Sequence, residues 1–141
     1  MPPETEALGR RAMACAKWRW LPGMVAQGTH RESNCLSWVR VEAFHNSKTC
    51  GAQAEQLENP YPNLYDYATL GCLLRLVREA WSDDRAWLEA TNRYYAFSER
   101  GADCCEPAWI LHVLDPLTQT YRKIPGMTEA EALIAALEAA P

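Results

Sequence analysis

The sharpest alternation of apolar and polar positions at helical spacing falls between Asp66 and Trp81. Tyr67, Leu70, Leu74, Val77 and Trp81 recur at steps of three and four, so an α-helix carries them on one face. Leu73 widens that stripe, Leu76 and Ala80 extend it, and Arg75, Arg78 and Glu79 mark the wetter side. Asp66 is placed to cap the first turn, because its carboxylate can accept the unpaired amides there. Two weaker helical patterns flank this one. Leu8, Ala12, Cys15 and Ala16 share a small-residue face in a helix read from Glu4 to Lys17, with Arg10, Arg11 and Lys17 elsewhere on the wheel. Thr128-Glu129-Ala130-Glu131 is a capping box, and the helix it opens runs to Ala140 with Ala130, Leu133, Ile134 and Leu137 inward.

Between the helices the period shortens to two. Pro22-Gly23 signals a turn, Met24-Val25-Ala26 opens a first strand, and the stretch from Gly28 to Asn34 reads as a loop or hairpin connection. From Leu36 to Ala43 the alternation is regular, with Ser37, Val39, Val41 and Ala43 on one face and Leu36, Trp38, Arg40 and Glu42 on the other, and it reads as a strand with one face buried and the other half wet. Phe44 to Leu64 shows no period and contains two prolines, so it reads as one long loop of the kind that is usually functional or mobile. Ser82-Asp83-Asp84 ends the central helix as a solvated turn. Ala86–Thr91 and Arg93–Ser98 predict a hairpin with Asn92 at its tip. Trp109–Asp115 and Thr120–Ile124 predict a further strand pair around Pro116-Leu117-Thr118-Gln119, with Pro125-Gly126 breaking the second strand. The order is α-β-β-α-β-β-β-β-α: an α+β fold, mainly antiparallel β-sheet packed by three helices, as a single domain over residues 1–141.

Composition narrows the function classes. The chain is 48% hydrophobic and 23% charged, an ordinary globular balance. No apolar run approaches the roughly 18–20 residues of a membrane span, and the N-terminal residues lack a signal-peptide pattern, so the expected compartment is the cytoplasm. The net charge of −4 argues against general nucleic-acid binding. It is unevenly spread: residues 1–31 carry five Lys/Arg and two Asp/Glu, the remainder nine and sixteen. Six cysteines, with no secretory signal, read as reduced thiols, and Cys72 as helix packing.

Candidate chemistry is sparse. Cys104, Cys105 and His112 are three potential metal ligands, yet adjacent cysteines chelate one zinc poorly and no C-x-x-C or H-E-x-x-H spacing is present. His112 within an apolar strand reads as a core or sheet-surface histidine; His30 and His45 fall in polar loops. Glu129 and Glu131 read as helix-terminal acids. No cofactor motif is present. The aromatic residues are more informative. Of six tryptophans, Trp81 and Trp109 read as core by position. Trp18-Arg19-Trp20, Trp38 with Arg40, and Tyr94-Tyr95 beside Arg93 combine rings with guanidinium groups. Such sets pack a sheet against helices, bind a protein, or stack a base and pair a phosphate.

W-R-W-L-P-G-M after a first helix, A-T-L-G-C-L-L-R-L-V-R-E-A-W in the middle and T-E-A-E-A-L-I-A-A-L-E-A-A-P at the end together resemble small phage-encoded proteins of the phage ABA-sandwich domain type. The resemblance covers about half the chain and implies a sheet between helices in a phage or prophage accessory protein. It brings no catalytic residues. The expectation is a non-catalytic protein that binds and inhibits a host target, defence-related as in anti-CRISPR-like antagonists, or that sequesters a nucleotide signal. The partner is then a host protein or a small nucleotide-like ligand. A small cysteine- or metal-dependent enzyme and a self-associating homo-oligomeric module are the alternatives left open.

Overall fold

Helix α1 (Pro3–Met13) is followed by strands β1 (Val25–His30), β2 (Leu36–Arg40) and β3 (Leu57–Pro62). Helix α2 (Tyr67–Trp81) leads to strands β4 (Trp87–Ala90), β5 (Trp109–Leu114) and β6 (Tyr121–Gly126), and helix α3 (Glu129–Ala139) ends the chain. The computed structural model describes residues 3–42, 53–91 and 108–141. Among the described residues all strand pairing is antiparallel, in two three-stranded sheets of order β2-β1-β3 and β4-β5-β6. The α+β class and, among the described residues, the three helices match the sequence pattern. Among the described residues three strands precede α2, where the sequence pattern predicts two, and three follow it. The chain forms two compact units, residues 1–75 and 76–141, with the boundary inside α2.

In the first unit, β1 runs through His30, so only Arg31–Asn34 remain as the loop to β2. His30 N–H donates to the Cys35 carbonyl, Asn34 N–H donates back to His30, and Asn34 adopts a positive φ of 56° to close the turn. β2 is shorter than the expected Leu36–Ala43 but alternates as a strand, and the structure decides its faces: Val41 is buried just beyond it, while Leu36, Trp38 and Arg40 are exposed. β3 is the main departure. It arises from the stretch read as one long loop, and its prolines are tolerated because an edge strand needs no outward N–H from them. The β1–β3 register shifts between Gln27 and Thr29, opposite Asn59 at φ 47°. A Cβ on Gly28 would stand 2.7 Å from the Glu58 carbonyl oxygen, so the close strand approach at this bulge requires glycine. Helix α1 is shorter than its apolar pattern, ending at Met13. It lies against β3, with Gly9 on Pro62 and the Arg10 guanidinium 5.2 Å from the Tyr61 ring centroid.

Asp66 caps α2 as expected. Its Oδ2 accepts the Thr69 amide and the Thr69 hydroxyl, each at 2.9 Å, and Thr69 Oγ1 in turn accepts the Val25 N–H at 2.9 Å. The buried stripe is rotated from the predicted one. Thr69, Leu73, Leu76, Val77 and Trp81 are buried, whereas Tyr67 is 84% exposed and Leu70 and Leu74 are only half-buried. Hydroxyl-for-amide pairing at Thr69 lets a polar residue occupy the inward position that the apolar spacing assigned to its neighbours.

In the second unit, α2 ends in a Schellman arrangement: Ser82 N–H donates to Glu79, Asp83 N–H to Arg78, and Ser82 takes φ 53°. Asp83 is not a solvated turn residue. Its carboxylate accepts the Arg85 amide and, at 2.9 Å, the Leu114 amide at the end of β5. The observed partner of β4 is β5, from Trp87 opposite His112 to Ala90 opposite Trp109; residues 93–98 of the predicted hairpin lie outside the described residues. Pro125-Gly126 does not break β6, which continues to Gly126 opposite Trp109, again as an edge strand. Helix α3 packs one face of this sheet. Ala130, Ala132, Leu133, Ile134, Ala136 and Leu137 are buried, Thr128 Oγ1 accepts the Glu131 amide, and the Glu131 carboxylate reaches back to the Met127 amide. Trp81 joins this core through an indole N–H that donates to the Ala136 carbonyl at 2.8 Å.

Candidate functional site

Strand alternation gives the second sheet two unlike faces. Leu111, Val113 and Ile124 are buried on the face that takes α3. Opposite them, Trp87, Glu89, Ile110, His112, Leu114, Tyr121 and Lys123 share the other face, by register across three strands. Trp87, His112 and Lys123 are directly aligned. The Trp87 indole lies flat on the His112 imidazole, with centroids 4.0 Å apart and planes 10° from parallel. His112 Nε2 and Glu89 Oε2 are 2.7 Å apart. An ionised carboxylate can only accept, so Nε2 carries the proton and donates, and this fixes the ring plane on which the indole rests. His112 is largely covered by these neighbours, while Trp87 remains 47% exposed and Tyr121 74% exposed. The result is an open, ordered platform: a braced indole, a phenol, an ammonium group and a carboxylate. Such a surface offers flat apolar area with charges of both signs at its margins.

Among the described residues, those singled out from the sequence do not assemble into one patch. Trp18 and Trp20 meet edge to face, 5.3 Å between centroids at 78°. Trp20 packs against the cluster of Ala26, Ala54 and Leu57, on the same sheet face as Val39. The Trp18 indole nitrogen is buried without a hydrogen-bond partner among the described residues. Arg19 is exposed between them. Alternation places Trp38 on the other face of β2 from Val39, where it is 68% exposed, with Leu36 and Arg40 on the same side. The Arg40 guanidinium is engaged within the fold: Nη1 donates to the Gly23 carbonyl at 2.8 Å and Nη2 pairs with Asp66 at 3.1 Å. Tyr94 and Tyr95 lie outside the described residues, as do Cys104, Cys105 and His45. Among the described residues, no group of three His, Cys, Asp or Glu is placed to hold a metal ion.

In the sequence Trp87 falls within the Ala86–Thr91 strand segment with no role assigned to it, and His112 reads only as a core or sheet-surface histidine. Their stacking depends on the β4–β5 register, which neither segment specifies alone. The one local hint was Trp87 and Glu89 at strand spacing in a segment of high strand propensity.

No family model, curated protein or solved structure matches the chain. Among the described residues, no helix is long and apolar enough to cross a membrane.

Proposed function

We propose that this chain is a non-catalytic binding protein whose partner is another protein, engaged through the outer face of the second sheet. The observation that carries this reading is the half-exposed Trp87, stacked on His112, which is bonded to Glu89, beside Tyr121 and Lys123. Aromatic residues held rigid by neighbours lose little entropy on docking, and tryptophan and tyrosine dominate the energetic centres of protein interfaces. An open sheet face also suits a protein surface better than a small nucleotide, which needs most of its area enclosed. Residues 76–141 hold six Lys/Arg and eleven Asp/Glu, a net −5, which favours a partner segment rich in basic residues. The resemblance to phage ABA-sandwich proteins supports a phage-type accessory role in the cytoplasm of a bacterial host cell. There the protein would occupy a host component, with defence proteins the leading class.

The test is affinity capture of the tagged full chain from bacterial host lysate, beside folded Trp87→Ala and Tyr121→Ala variants. One host protein retained in stoichiometric amount by the wild type and lost with both variants supports the reading. Equal retention by all three, or no stoichiometric partner, refutes it. Native mass spectrometry of the same preparation, before and after mild denaturation, separates out the nucleotide reading. A phosphate-bearing mass released on unfolding would mark the chain as a ligand-sequestering protein instead.

A further inference from the structure

The free edge of the first sheet is a short strand that is complementary to itself. Among the described residues, sheet order makes β2 and β3 the two edges. His30 N–H donates to the Cys35 carbonyl and Val41 N–H to the Met24 carbonyl, both at 2.8 Å. In an antiparallel ladder successive residues alternate in direction, so positions 35, 37, 39 and 41 address β1. Leu36, Trp38 and Arg40 therefore turn their backbone N–H and C=O groups outward. The free run has definite ends. The next outward amide, that of Glu42, already donates to Gln53 Oε1 at 2.7 Å, and beyond Leu36 the strand enters the Arg31–Asn34 turn. Its midpoint is Trp38.

Edges are commonly protected by proline, lysine or bulges. β3 has Pro60, Pro62 and the register shift opposite Gly28, and β6 of the other sheet has Lys123 and Pro125. β2 (Leu-Ser-Trp-Val-Arg) has neither proline, lysine, glycine nor bulge. Its outer face instead shows Leu36 61% exposed and Trp38 68% exposed.

We infer that β2 pairs antiparallel with β2 of a second copy of this chain, about a two-fold axis through Trp38. In that register each Trp38 exchanges both backbone bonds with the second copy's Trp38, and Leu36 does the same with the second copy's Arg40. All three outward positions are satisfied with none left over. The two indoles lie directly opposite on one face, and each Leu36 rests against the stem of the second copy's Arg40, whose charged end stays on Gly23 and Asp66. The two three-stranded sheets become one of six strands, and the two-fold axis closes the assembly as a dimer. This interface uses none of the residues assigned to the outer face of the second sheet.

Sedimentation velocity of the full chain over a range of concentrations tests the inference, together with amide exchange read by NMR at low and high protein concentration. A reversible monomer–dimer equilibrium is expected. The amides of Leu36, Trp38 and Arg40 become protected as the dimer fills, while those of Ser37 and Val39 are protected throughout. Trp38→Lys sets like charges opposite each other. Leu36→Pro removes an outward N–H that the fold does not use. Each weakens dimerisation about tenfold or more, equivalent to about 1.4 kcal/mol. Leu117→Ala, at an exposed leucine in the second unit, leaves it unchanged. A monomer at every concentration, open-ended association, or a dimer in which the Leu36, Trp38 and Arg40 amides still exchange freely would overturn the inference. The exchange measurement on the wild type decides the matter even if a variant fails to fold.

Discussion

Asp66→Ala probes the junction on which the first unit depends. One carboxylate there serves the Thr69 amide, the Thr69 hydroxyl and Arg40. Removing an N-cap acceptor costs about 1 kcal/mol. The Thr69 hydroxyl is fully buried, and losing the acceptor for its proton costs about 1 kcal/mol more. Arg40 is half-exposed, so its ion pair adds no more than about 0.5 kcal/mol. The expected loss is therefore about 2 kcal/mol or slightly above. Thr69→Val leaves the Val25 amide without its acceptor and costs about 1–3 kcal/mol by itself. Because both changes break one chain of bonds, the double variant should lose less than the sum, with a coupling of about 0.5 kcal/mol or more. Urea unfolding followed by circular dichroism measures this as midpoint shifts at unchanged slope.

The pH dependence follows the same bonds. Burial alone would raise the Asp66 pKa, but the Thr69 amide, the Thr69 hydroxyl and Arg40 outweigh it and hold the carboxyl below its usual value. A depressed folded-state pKa contributes stability that is present above the unfolded value of about 3.9 and is lost as pH falls through the folded one. Asp66→Asn should flatten that acid limb. Strict additivity of Asp66→Ala and Thr69→Val, or an Asp66→Ala variant as stable as wild type at neutral pH, would refute the reasoning.

Three other outcomes are expected. Trp81→Phe removes the indole N–H donated to Ala136 and part of a buried ring over which Arg122 sits, and should cost about 2–4 kcal/mol in the same unfolding assay. Gly28→Ala drives a methyl group into the Glu58 carbonyl and the Leu57 side chain; its melting temperature should fall well below that of Gly71→Ala, where open space receives the methyl. Burial pushes the Cys72 thiol pKa up, so less of it is thiolate at neutral pH, and its Sγ also donates to the Pro22 carbonyl. Timed alkylation with peptide mapping should label exposed Cys35 well before Cys72 in the folded chain.

What could be read from the sequence was local. The Asp66 cap, the Thr128 capping box, the alternation of Leu36–Arg40 and the β5 run each depend on residues within one or two turns or one strand, so their physics is complete in a short window. The tertiary structure decided what those windows leave open. Pro60, Pro62 and Pro125 argue against strands until the strands are known to be edges, where the missing N–H faces outward. Tyr67 and Leu73 both fit an apolar stripe; the bond from Val25 to Thr69 helps fix the rotation of α2, turning Leu73 in and Tyr67 out. The aromatic–arginine pairs looked alike in sequence. Yet Arg40 is held by Gly23 and Asp66, Trp20 packs a core, and the exposed platform forms instead from Trp87 and His112, twenty-five positions apart and joined only by strand register. Side-chain periodicity tells which residues share a face of one element. Only the pairing of elements tells which faces meet, and which are left for a partner.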